Sequence, residues 1–119
     1  MKRLQPPFMH ATDTVHACVA GITIPERAQA LTEALPTIQR CEAEYLELGP
    51  PGQLYRILPS TNVTPAIDAA LMGVIYKNHF ARQGSPSRAL YDRIRMAPEF
   101  SLCPLCAQRI VTTVDHYLP

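Results

Sequence analysis

Two short stretches near the C-terminus hold the residues best suited to chemistry. Cys103-Pro104-Leu105-Cys106 sets two thiols three positions apart. That spacing lets both thiolates reach one tetrahedral zinc ion, so the pair supplies half of a structural zinc site. A few residues on, Asp115-His116 joins a carboxylate to an imidazole. The carboxylate can hold a hard divalent cation, and the imidazole can take a proton from water at neutral pH. Metal-assisted phosphodiester cleavage needs both functions, a cation on the scissile phosphate and a base for the attacking water.

Other candidates carry less. Cys18 and Cys41 each stand alone on an expected apolar helix face, where a free thiol packs as a small hydrophobe. His10, His16 and Cys18 have no diagnostic ligand spacing, and His79 is read as a helix C-terminal cap. Lys77, Arg82, Arg88, Arg93, Arg95 and Arg109 form a basic stretch interrupted only by Asp92 and Glu99. It points weakly to phosphate, and a solvated helix face is the commoner explanation.

The elements that must position these residues are small. The chain has 119 residues, enough for one modest core, and 47% of them are apolar, which excludes wholesale disorder. A formal charge of +1 selects no nucleic-acid partner by itself. No segment has the run of about 18 apolar residues that a membrane span requires. Met1-Lys2-Arg3 is followed by no apolar h-region, so the protein is read as soluble and cytoplasmic. Reduced cysteines then fit metal ligation better than disulfides.

Twelve prolines predict that no element is long. Thr12 or Asp13 is expected to cap a first helix with Val15, Cys18, Val19 and Ile22 on one face, its end weakened by Gly21. Pro25 suits the first position of a second helix lined by Ala28, Leu31 and Leu35, which Pro36 kinks or replaces with a third. Gly49-Pro50-Pro51-Gly52 is a turn or loop, and Gln53 to Leu58 a strand or connector. Thr64-Pro65 marks a helix start with Ile67, Leu71, Val74, Ile75 and Asn78 on its face. Ser85-Pro86 marks another, lined by Ala89, Leu90, Ile94 and Ala97 and stopped by Pro98. Ile110-Val111-Thr112-Thr113-Val114 is β-branched throughout and reads as a strand. The fold class expected is mainly α: a small helical array over 1–98, then a cysteine turn and the first strand over 99–119.

From Cys103-Pro104-Leu105-Cys106 through Val114-Asp115-His116-Tyr117-Leu118-Pro119, about seventeen residues resemble the opening of the HNH endonuclease motif of the zinc-knuckle type. Cys18-Val19-Ala20-Gly21-Ile22 and Ser87-Arg88-Ala89-Leu90-Tyr91-Asp92 are diffusely similar to the helical region upstream of that motif. The resemblance implies a ββα-metal unit in which His116 is the general base, Asp115 helps hold a catalytic Mg²⁺ or Mn²⁺, and Cys103 and Cys106 are two of four ligands to a structural Zn²⁺. It implies a nucleic-acid substrate, DNA ahead of RNA, and allows a protein partner such as an ATPase.

Two departures qualify it. Ala107 stands where Gly is usual, at a cost of about 1 kcal/mol or more if that position needs a positive φ. The second cysteine pair, the middle Asn and the final His lie beyond Pro119 in the family, so the chain is expected to be an incomplete portion, inactive alone. The alternative is a non-catalytic helical module that binds protein or nucleic acid, with two copies sharing one zinc through their cysteine pairs.

Overall fold

The computed structural model describes residues 4–5 and 9–114; Asp115 and His116 lie outside the described residues. Four helices dominate, with one small antiparallel ribbon: α1 (Ala11–Gly21), α2 (Pro25–Leu48), β1 (Asn62–Thr64), β2 (Ile67–Asp68), α3 (Ala69–Ile75) and α4 (Arg88–Arg95). The chain is thus a mainly helical array, as the periodicity predicts. Among the described residues no helix is long and apolar enough to cross a membrane.

Helix α1 begins one residue before Thr12, so neither Thr12 nor Asp13 is its cap. The backbone N–H of His10, which precedes the helix, donates to the Asp13 carboxylate at 3.1 Å. The Ala11 N–H donates to Glu42 of α2 at 2.9 Å, and Gln39 donates to Thr12 at 2.9 Å. A carboxylate from the far end of α2 thereby satisfies an orphan donor at the positive end of α1, and the two helices run antiparallel. Gly21 has a packing reason: a Cβ there would meet the Pro86 ring at 3.0 Å.

The largest correction concerns length. Pro25 does open α2, but the helix continues for 24 residues with Pro36 inside it. An interior proline forfeits one backbone hydrogen bond and crowds the preceding turn, costing about 3 kcal/mol. Leu31 and Ala34, 2% and 0% exposed, bury the helix on the N-terminal side of Pro36, and Ile38 packs beyond it, so tertiary contacts support the helix on both sides of the proline.

Two helix starts also fall later than expected. Thr64-Pro65 does not begin a helix: Pro65-Ala66 is the turn joining β1 to β2, which pair Thr64 with Ile67. A proline with φ near −65° serves a turn as readily as a first helical position. The true cap is Asp68, whose carboxylate accepts from the Leu71 N–H at 2.8 Å. In the same way α4 starts at Arg88 after Ser87, not at Pro86 after Ser85, and the Ser85 hydroxyl instead donates to the Arg82 carbonyl at 2.8 Å. Its buried face is Tyr91 with Leu90 and Ile94 half-buried, whereas Ala89 and Ala97 are exposed. Gln53 to Leu58 holds a single tight turn, Leu54–Arg56, rather than a strand.

The core joins α1 (Val15, Cys18) and the following Ile22 with Leu31 and Ala34 of α2, Ile67 of β2, Ile75 of α3, Phe80 and Tyr91. After α3 the helix widens by one residue over Tyr76–Phe80, where the Ala81 N–H reaches back five residues to the Tyr76 carbonyl at 2.8 Å. This turn carries Tyr76 and Phe80 into a stack with Tyr91, ring centroids 5.6 and 5.7 Å apart. Ser87, fully buried, ties the same turn to α4 through the carbonyls of His79 and Phe80.

Candidate functional site

The cysteine pair sits at the tip of a short hairpin beyond α4. Leu102 and Ile110 form an antiparallel bridge, flanked by hydrogen bonds from Val111 N–H to the Ser101 carbonyl at 2.8 Å and from Cys103 N–H to the Arg109 carbonyl at 2.7 Å. Inside the loop the Ala107 N–H closes on the Cys103 carbonyl at 2.7 Å. Pairing stops at that bridge. The β-branched run 110–114 is therefore not the strand expected from its composition: past Val111 it has no partner strand among the described residues, and β propensity without a partner forms no ladder.

This loop brings the two thiols together. Cys106 hydrogen-bonds Cys103, and its sulfur accepts from the backbone N–H groups of Gln108 and Arg109. Those donors, Gln108 first, pull the Cys106 thiol below its ordinary range. Both cysteines are free thiols, Cys103 half-buried and Cys106 exposed. Two cysteines at this spacing on one short loop could supply two ligands to a tetrahedral metal ion. Ala107 does adopt a positive φ, 55°, so the anticipated cost of replacing Gly applies here.

Asp115 and His116, the other half of the expected chemistry, fall outside the described residues, but the residue before them is tightly held. Val114 packs against the core. Its N–H donates to the Tyr91 hydroxyl at 3.2 Å, and its carbonyl accepts from the Tyr76 hydroxyl at 3.0 Å. Sequence reasoning missed both tyrosines, because contacts 23 and 38 residues apart leave no local spacing signal.

The remaining candidates disperse. Cys18 is buried as expected, and burial pushes its thiol up, opposed by a hydrogen bond with Ser87. Cys41 is exposed, contrary to the packing expected of it. Among the described residues no three His, Cys, Asp or Glu side chains gather where a metal ion could be held, so His10, His16 and Cys18 form no ligand set. Of the basic stretch, Arg88 and Arg95 pair with Asp92 at 3.1 and 3.2 Å, and Arg88 also lies 4.6 Å from the Tyr91 ring centroid. Hydrogen bonding from Arg88 holds the Asp92 carboxyl below its usual range. Those two arginines brace α4.

Compared with family models, curated proteins and solved structures, the chain matches none.

Proposed function

We propose that this chain carries the opening portion of an HNH-type, metal-dependent nuclease acting on DNA. Cys103 and Cys106 supply two of the four thiolates of a structural Zn²⁺. Asp115 helps hold Mg²⁺ or Mn²⁺, and His116 takes the proton from the attacking water. The observation that supports this best is the cysteine turn: two thiols on one hairpin tip, with backbone N–H groups aimed at the Cys106 sulfur. That arrangement favours thiolate, the form in which sulfur binds metal. The finer fold reading, a zinc knuckle leading into a ββα-metal unit, belongs to the same proposal.

The 119 residues hold no second closely spaced cysteine pair, so two thiolates must come from elsewhere. The test has two arms. Titrating Co²⁺ into the chain should give a thiolate-to-metal charge-transfer band that Cys103→Ser or Cys106→Ser removes. Plasmid DNA with Mn²⁺ should stay intact with the chain alone and be cut when a polypeptide supplying the second cysteine pair, an Asn and a His is added. Cleavage should then disappear with His116→Ala. A Co²⁺ spectrum indifferent to both cysteines contradicts the reading.

A second reading, a non-catalytic module dimerised through a shared zinc, is favoured by one observation. Phe100, Leu105 and Ile110, on or beside the hairpin, are 80%, 70% and 69% exposed, which gives a second copy apolar surface to cover. One zinc per two chains, with a native mass twice that of the chain, would select it.

A further inference from the structure

We infer that Cys103 and Cys106 form a reversible dithiol–disulfide site, oxidised by a low-molecular-weight disulfide such as glutathione disulfide, in which the disulfide and a bound metal exclude each other. The disulfide stands on the geometry of the hairpin; the exclusion rests on the nuclease reading for the metal.

A disulfide demands close backbones, with Cα atoms no more than about 7 Å apart. The hairpin tip meets that demand. Residues 104–106 form a turn, closed by the Ala107 N–H on the Cys103 carbonyl at 2.7 Å. A turn that reverses the chain within four residues brings its first and last Cα within about 7 Å. Here the first is Cys103 and the last is Cys106. The side chains meet as well, since Cys106 hydrogen-bonds Cys103.

The backbone around the pair is already set. Cys103 is clamped on both sides, its N–H donating to the Arg109 carbonyl at 2.7 Å while its carbonyl accepts from Ala107. Pro104 restricts the next φ to about −65°. The positive φ of 55° at Ala107 then turns the chain out of the loop. Forming the S–S bond therefore asks for little backbone rearrangement.

Burial gives the two thiols different steps. Cys106 is exposed and open to a bulky reagent, whereas Cys103 is half-buried. The Cys106 sulfur attacks one sulfur of glutathione disulfide, whose S–S bond breaks; one glutathione leaves and Cys106 becomes a mixed disulfide. The Cys103 sulfur then attacks the Cys106 sulfur and releases the second glutathione. Two electrons pass from the cysteine pair to the reagent, and the two cysteine protons end on the two glutathione thiols. A metal ion takes thiolates as ligands, and a disulfide offers none. Oxidation thus empties the site, and reduction restores it.

The test uses the full chain, with and without Cys41→Ser, which removes the exposed thiol on α2. Each is equilibrated without metal in graded mixtures of reduced and oxidised glutathione, quenched with acid and mapped by peptide mass. A monomer lighter by two hydrogens is expected, with the loss on the peptide that spans residues 103 and 106, reversed by excess dithiothreitol. Cys103→Ser should instead trap glutathione on Cys106, several-fold faster than Cys103 captures it in Cys106→Ser. A pair that stays reduced at every ratio, a wild-type chain that stops with glutathione on Cys106, or a link between two chains overturns the disulfide.

In a second arm the Co²⁺-loaded chain should lose its thiolate-to-metal band in step with oxidation of the pair and regain it on reduction. A band that survives complete oxidation overturns the exclusion. A chain that never shows a cysteine-dependent band defeats the nuclease reading and the exclusion with it, while the mapped mass still decides the disulfide.

Discussion

The helical array and the cysteine hairpin are held together by different forces. The array buries Ile67 and Ala34 completely and Leu31 nearly so, with aromatic rings closing one end. The hairpin buries little: Leu105 and Ile110 face solvent, and its shape rests on a few backbone hydrogen bonds around one bridge. Hydrophobic burial makes the first region self-sufficient, whereas the second has the sparse core that small metal-bound units complete by ligation. The proposed zinc ligands thus sit in the region least able to hold itself, and the tyrosine hydrogen bonds to Val114 tie the segment just after the hairpin to the array.

The sharpest way to break this contrast is to remove apolar volume from each side. Ile67→Ala should lower stability by about 2–5 kcal/mol in urea unfolding, because a fully buried side chain leaves a cavity. Ile110→Ala, at an exposed site, should change it by no more than about 0.5 kcal/mol. Equal losses would mean that the hairpin is as well packed as the array.

A smaller effect of opposite sign is expected from Ala107→Gly. Glycine tolerates the positive φ of 55° at this position, so local opening of the loop should become about 1 kcal/mol harder. Amide exchange at residue 107, whose N–H bonds the Cys103 carbonyl, measures it. Faster exchange would show that the backbone there is not under strain.

The two regions also shift their thiols in opposite directions. Burial in the array raises Cys18, so the folded state holds that proton more tightly than the unfolded chain. Stability is unaffected below the unfolded value near 9.0 and falls as pH rises above it; Cys18→Ala should flatten that slope in denaturation curves measured across this range. Backbone donors in the hairpin lower Cys106, so its alkylation should reach its plateau at a lower pH than that of an ordinary thiol. A Cys106 profile shifted upward would remove the electrostatic support for the proposed zinc ligation.

How much the sequence disclosed obeys the same division. Helical periodicity identified Val15, Cys18 and Ile22 because a face that packs must repeat. The cysteine turn was legible from two residues, since ligand spacing is local. Proline misled as a helix start at Pro65 and Pro86, and Pro36 lies within one continuous helix rather than opening a third, because one fixed φ suits helix starts, turns and, where packing compensates, helix interiors. The run 110–114 read as a strand because composition reports propensity and not partners. The hydrogen bonds of Tyr76 and Tyr91 to Val114 were not legible, since they join residues 38 and 23 positions apart.

The most direct test of the central claim is Mn²⁺-dependent cleavage of plasmid DNA by the zinc-loaded chain combined with a polypeptide bearing the second cysteine pair, the Asn and the final His. Cutting is expected with the wild-type chain and is lost with His116→Ala. Cutting that persists undiminished in His116→Ala, or none with either chain although zinc is bound, would contradict the account.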